Sequence, residues 1–188
     1  PGIYIAYPSN ALDAKGLLKM ACRMDDPVLF MEHKGLYRQG YAATDEPDSD
    51  YIIPFGKGRL VSNGNYLTLV TWGAMVQKSV EAVQELLLEE NIVEIIDLRT
   101  LNPIDFDILE VSINKTGKVL IVHEDNLTNG PGAEISAMIS EKFFEYLDGP
   151  IKRVAAKDSP IPFNWVIEEK ILPQTKDISN AIEELLEY

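Results

Sequence analysis

Two histidines, His33 and His123, are the side chains of this sequence whose ordinary pKa lies nearest neutrality, and each stands next to a carboxylate. His123-Glu124-Asp125 follows the apolar run Val119 to Val122, which puts it at the carboxyl end of a strand, where open α/β sheets tend to bind ligands. A histidine beside two carboxylates could shuttle a proton. It has neither a visible nucleophile nor the spaced ligands a metal requires, so a structural or interface role suits it better. Glu32-His33-Lys34 also follows a strand, and with Lys34 and Arg38 could face a bound anion. A subunit-contact loop is the simpler reading of the same residues.

Asn129-Gly130-Pro131-Gly132-Ala133-Glu134 sets glycines just ahead of a helix, where backbone N–H groups attract phosphate. Pro131 removes one such donor, and neither the P-loop pattern with its lysine nor GxGxxG is present, so strand-to-helix turn chemistry accounts for the glycines. Asp97 and Asp105 flank a turn and give no sign of a paired acid and base. GxSxG, HExxH and CxxC do not occur. Cys22, the single cysteine, lies in a helical stretch and reads as buried filler rather than a reactive thiol. Local chemistry alone supplies no complete active site, no metal ligand set and no cofactor-binding residue.

The elements that would position these groups are legible in the apolar pattern. Ile3 to Tyr7 reads as a strand stopped by Pro8, Leu12 to Arg23 as a helix, and Val28 to Met31 as a short buried strand, which makes one βαβ unit. One unit cannot shield both faces of a parallel sheet, so a larger domain is expected around it. Residues 39 to 66, rich in Gly, Pro and Asp, read as a linker or extended connection. From Leu67 the pattern is regular: strand Leu67 to Trp72, helix Ala74 to Glu90 with the stripe Val76, Val80, Val83, Leu87, strand Ile92 to Ile96, helix Asp105 to Lys115 capped by Asp105, and strand Val119 to His123. The helix after Gly132 carries Ile135, Met138, Ile139, Phe143, Tyr146 and Leu147. Ile151 to Ala155 is a further strand, and Ile178, Ile182, Leu185 and Leu186 mark a closing helix. The fold class is therefore α/β, a mostly parallel open sheet with helices on both faces and right-handed crossovers. Residues 67 to 188 form its complete domain, and residues 1 to 60 are the tail of another domain plus linker.

With 188 residues, 46% of them apolar, the chain can bury a real core. Thirty acidic against 17 basic side chains leave a formal charge of -13, which disfavours nucleic acid and anionic membrane surfaces as partners. Glu183, Glu184 and Glu187 gather ahead of Tyr188, as a solvated helix face or as a surface for a basic partner. Apolar runs fall short of a membrane span, and a lone cysteine without a leader predicts a reducing compartment. Trp72, Phe163 and Trp165 are more aromatic area than loops usually expose, which suggests a dimer unless all three are internal.

Four segments in order resemble the beta subunit of the thiamine-diphosphate-dependent first component of 2-oxo acid dehydrogenase complexes, of the transketolase superfamily. They are Pro8-Ser9 with Asp13 to Leu18, Asp26 to Val28 through Glu32 to Arg38, Ile96 to Pro103, and His123-Glu124 with Gly132 to Ile135. The resemblance implies a transketolase C-terminal domain preceded by a partial βαβ of the pyrimidine-binding domain. It implies a parent enzyme that decarboxylates pyruvate or a branched-chain 2-oxo acid and passes the acyl group to a lipoyl-bearing acyltransferase. Thiamine diphosphate and magnesium are implied for the parent, with none bound by this chain alone, because the activating carboxylate and the diphosphate motif lie in other parts of the family's proteins. The implied partners are an alpha subunit or fused alpha region, a second beta region, and the small basic subunit-binding module of the acyltransferase, which Asp148 and the terminal carboxylate of Tyr188 would meet. Cytoplasm, or the mitochondrial matrix in a eukaryote, is the implied location. Gly130-Pro131-Gly132 and Asp125-Asn126 depart from the family's pattern around His123. Another thiamine enzyme, such as a transketolase or deoxyxylulose-phosphate synthase, and a stand-alone assembly module are the competing readings.

Overall fold

A computed structural model describes residues 2–87 and 91–188. Its larger sheet has five strands: β3 (Arg59–Ser62), β4 (Leu67–Thr71), β5 (Val93–Asp97), β7 (Val119–Asn126) and β8 (Lys152–Ala156). They lie in the order β3-β5-β4-β7-β8, all parallel except β3, which runs antiparallel to β5 at the edge. Every residue of β4 and β5 is buried, as a sheet covered on both faces requires. Leu67, Leu69, Leu120 and Val122 face helices α2 (Met75–Glu85) and α6 (Thr175–Leu186). The alternate residues Val70, Trp72, Val119 and Ile121 face α3 (Phe106–Thr116) and α4 (Pro131–Phe143).

The first 40 residues form β1 (Tyr4–Ala6), α1 (Ala11–Ala21) and β2 (Val28–Phe30), with β1 and β2 parallel as expected of a βαβ unit. A third strand, β6 (Thr100–Asn102), crosses from the larger domain and pairs antiparallel with β1. Leu17 of α1, Ala6 and Ile53 form a small core there, with Phe30, Tyr51 and Phe55 packed on it.

Several expectations shift. Strand β3 lies inside the stretch read as linker, because a four-residue edge strand with Leu60 exposed has no period to detect. Helix α2 ends at Glu85. Leu87 has φ +48° and is 90% exposed, so it leaves the predicted stripe, and the rest of the predicted helix to Glu90 lies outside the described residues. Strand β7 continues three residues past His123, and β8 is displaced by one residue. Cys22 caps the end of α1 and is exposed rather than buried, because the amphipathic stripe has ended there. Trp72 is buried in the sheet's core, whereas Phe163 and Trp165, at the short helix α5 (Trp165–Glu168), are exposed. Asp105 does cap α3, and Gly117, at φ +67°, ends it in the left-handed region where a side chain is strained.

Candidate interface site at the carboxyl ends of the sheet

Strands β4 and β7 are neighbours whose outgoing helices, α2 and α4, leave to opposite faces, so their carboxyl ends bracket the sheet's topological switch point. In this chain that crevice is filled from within. The Tyr7 ring lies against Gly73, two residues past the end of β4, so closely that a Cβ there would meet Tyr7 Cε2 at 2.9 Å. Desolvation, followed by the negative charge of Glu124, pushes the Tyr7 hydroxyl up to about 12. His33, from the loop after β2, places Nε2 3.0 Å from Glu124 Oε2 of β7. The bond to Glu124 raises the His33 pKa, overcoming the opposing effect of burial. The sequence singled out His33 and Glu124 separately, and the fold brings them together. His33 faces a carboxylate rather than an anion-binding set, while Lys34 and Arg38 are exposed.

His123 points to the other face of β7. Its ring stacks on Trp72, with centroids 5.4 Å apart and planes 6° from parallel, and it has no exposed surface. Neither ring nitrogen has a hydrogen-bond partner. Gly130 and Gly132, at the start of α4, make room for the ring, since a Cβ on Gly132 would collide with His123 Nε2. Burial drives the His123 pKa down to about 4, against a smaller opposing pull from Asp125, so the ring is neutral at pH 7. The two candidate histidines thus serve opposite faces and do not form one site.

A charged network missing from the sequence reading fastens the two sheets together beside this crevice. Arg99, held at φ +59°, donates from Nη2 to Asp13 Oδ1 at 2.6 Å. Arg59 Nη2 donates to Asp97 Oδ2 at 3.2 Å, and its Nε lies 3.4 Å from Asp13 Oδ2. Ser9 Oγ donates to Asp97 Oδ2 at 2.5 Å, and Asp97 Oδ1 accepts the Arg99 backbone N–H. Both aspartates are fully buried, and burial raises the Asp97 pKa against the lowering pull of Ser9 and Arg59. Ser9, Asp13 and Asp97 all lie in stretches that carried the family resemblance, but only the fold shows them to be one cluster.

Between the N-terminus of α1 and the loop after β2 lies a cavity of about 550 Å³, lined among others by Pro8, Asn10, Ala14, His33, Tyr37 and Arg38. At the other end of the sheet, Asp148 lies in an exposed turn whose N–H bonds the Gly117 carbonyl at 2.7 Å. The next residue, Gly149, approaches Tyr188, so Asp148 and the exposed Tyr188 share one surface. Among the described residues no group of three or more His, Cys, Asp or Glu side chains is placed to hold a metal ion. The carboxylates at the switch point are engaged, Glu124 by His33 and Asp97 by Ser9 and Arg59. Engaged in this way, these residues by themselves do not fit a thiamine diphosphate and magnesium site. No helix among the described residues is long and apolar enough to cross a membrane.

Comparison with known proteins identifies the setting. The chain is 41% identical over all 188 residues to the pyruvate dehydrogenase E1 component subunit beta of Staphylococcus epidermidis, and equally to that of Staphylococcus aureus, covering 57% of each. It spans little more than half the length of these relatives and matches their C-terminal portion. A solved split-gene transketolase, an inactive beta4 tetramer, shares the fold with a TM-score of 0.77 at 24% identity, over 100% of this chain and 58% of that one. The family model for the transketolase C-terminal domain matches residues 56–178, and the chain belongs to that family.

Proposed function

We propose that this chain works as the C-terminal portion of the beta subunit of a 2-oxo acid dehydrogenase E1 component, with pyruvate or a branched-chain 2-oxo acid as substrate of the whole enzyme. The identity of 41% across the full chain to two such subunits carries this reading. In it, residues 1 to 60 are the tail of the pyrimidine-binding domain with its linker, and residues 67 to 188 are the transketolase C-terminal domain, to whose sheet the end of that linker adds the edge strand β3. The part played by this chain is assembly. Tyr7, His33 and the Arg59 and Arg99 network hold the two parts in one register, which supports a scaffold role for a crevice that other α/β proteins leave open for ligand. Thiamine diphosphate and magnesium then bind through residues of the complete subunit and of an alpha subunit or alpha region, and a second beta region completes a tetramer-type assembly.

The acyltransferase of the complex docks, in the same reading, on the surface shared by Asp148 and Tyr188, where a basic module would meet a chain of net charge -13. The location is the cytoplasm, or the mitochondrial matrix in a eukaryote. The test is an assay of the 188-residue chain and of the complete enzyme, beta subunit with alpha subunit, on pyruvate and branched-chain 2-oxo acids with a lipoyl domain as acceptor. The complete enzyme is expected to acylate the lipoyl domain with one of these acids and the chain alone to turn over none. Turnover by the isolated chain, or activity of the complete enzyme on sugar phosphates only, refutes the reading.

A further inference from the structure

Strand β8 is a free edge of the larger sheet, since it pairs with β7 on one side and with no strand on the other. The N–H and C=O groups of a strand point alternately to its two sides, so the outward half of those from Lys152 to Ala156 has no ladder partner. Along this edge runs a groove of about 670 Å³, bounded by β8 and by residues 169–177. Hydrogen bonds fix the far wall. The Lys157 N–H donates to the Ile171 carbonyl at 3.1 Å, and Lys78 Nζ of α2 donates to the Pro173 carbonyl at 2.9 Å. Gln174 Nε2 donates to the Glu169 and Leu172 carbonyls at 2.9 and 2.7 Å. A groove held in this way is formed before anything enters it, which lowers the cost of binding.

The lining reverses the charge of the chain. Arg153, Lys157, Lys170 and Lys176 all border the groove, on a protein of net charge -13. Of the carboxylates that line it, Asp158 accepts the Thr128 N–H and hydroxyl at 2.9 and 2.6 Å, and Asp177 accepts the Gln174 N–H at 2.9 Å. Only Glu169 is left to oppose the four cations. Lys157, Lys170 and Lys176 are exposed, and among the described residues none of them has a carboxylate within ion-pair distance, whereas Lys15, Lys57, Lys115 and Lys152 are paired. Leu127, 39% exposed, Ile171 and Leu172 supply apolar surface beside them.

We propose that this edge takes an extended acidic segment of a partner protein as a sixth strand. The outward backbone groups of β8 hold its main chain, and the unpaired lysines hold its carboxylates. Strand parity sets the pattern of the segment. Val154 packs on the side of α6, so Arg153 and Ala155 face away from it. A segment alternating acidic with apolar residues turns its carboxylates toward Lys170 and Lys176, ahead of and at the start of α6, and its apolar side chains toward Ala155 and Leu127. The inference goes beyond the E1 reading and does not depend on it. The surface of Asp148 and Tyr188 is a different one, which precedes β8 in the chain and selects a basic partner.

The probe is a fluorescein-labelled octapeptide of alternating glutamate and valine, titrated with the 188-residue chain and followed by fluorescence anisotropy. Saturable binding is expected, weakening at least about 10-fold between about 50 mM and about 500 mM salt. Two further peptides carry N-methyl groups on one or the other alternate set of backbone nitrogens, which keeps their charge and removes the donors of one side. One of the two should bind at least about 10-fold more weakly than the other, because only one set faces β8. Lys170→Glu combined with Lys176→Glu should also weaken binding at least about 10-fold, while Lys34→Glu, at an exposed lysine outside the groove, leaves it unchanged. The N-methylated pair tests the edge without altering the protein, so the result stands even where a variant folds poorly. Absence of saturable binding, equal binding of the two N-methylated peptides, or an equal loss in Lys34→Glu overturns the proposal. The lysines would then serve only to keep a bare edge from pairing.

Discussion

Lowering the pH from 7 to 4 should unload a specific fraction of this protein's stability through His123 alone. Its folded pKa, about 4, is depressed below the ordinary value of 6.5, so the native state takes up its proton later than the unfolded chain does. A base with a depressed folded pKa contributes stability above its unfolded pKa, and loses it as pH falls toward the folded one. Linkage between 6.5 and 4 gives a loss of about 3 kcal/mol by pH 4, about two-thirds of it already spent by pH 5. The cause is plain in the structure: an imidazolium there would be buried, without a hydrogen-bond acceptor, against the positive end of α4. The assay is urea unfolding at a series of pH values for the parent and for His123→Gln, both in a Trp165→Phe background. Trp72, stacked on the ring, is then the sole tryptophan and reports the transition. The side chain replaced does not titrate in the variant, so carboxylate effects common to both proteins cancel in the difference. The parent's advantage should shrink by about 3 kcal/mol between pH 7 and 4. Parallel stability curves over that range would refute the reasoning, because they would mean the buried ring is solvated or paired.

The other predictions concern the junction. Arg99→Met removes the 2.6 Å partner of fully buried Asp13, and should cost about 3 kcal/mol in unfolding free energy, the low end for breaking a buried pair since Arg59 remains nearby. Asp13→Asn combined with Arg99→Met in a double-mutant cycle should return a coupling above about 1 kcal/mol, and additivity would show that the two do not act as a pair. Gly132→Ala drives a methyl group into His123 and should destabilise by about 1–3 kcal/mol, measured by thermal unfolding. Glu124→Gln should bring the His33 pKa down from its raised value, followed by NMR titration of the ring protons. Because the folded His33 pKa is raised, its pairing supports the fold below pH 6.5 and fades as pH rises through the folded value, opposite in sign to His123.

The architecture was readable where periodicity was strong. Leu67, Leu69, Val93, Ile95, Leu120 and Ile121 are uniformly apolar strand residues, and all are buried. The alternating order of helices and strands then left the parallel sheet as the natural solution. The site was readable only in pieces. His33 with Glu32, and His123 with Glu124, were visible as charged pairs in sequence, but the contact that forms is His33 with Glu124, 91 positions apart. Nothing local marks that choice, because it depends on which face of β7 each side chain takes. The same parity decides that His123 is buried on Trp72 while its neighbour reaches the junction.

The ion network was invisible for a different reason. Ser9, Asp13, Arg59, Asp97 and Arg99 come from three separated stretches, and each alone reads as an ordinary cap, edge or turn residue. Sequence argument treats a charge as exposed until a partner is known, and here the partners are supplied by docking one sheet on the other. That gives the network its consequence. The cores of the two parts are separate, one around Leu17 and Ile53 and the others around the five-stranded sheet, so apolar packing within each does not fix their relative placement. The directional contacts do: two arginines each reaching buried carboxylates, the β1 pairing with β6, and the seating of Tyr7 on Gly73. Shifting one part by a single residue would flip strand parity and leave two buried aspartates without their cations, a cost of several kcal/mol that few alternative arrangements could offset.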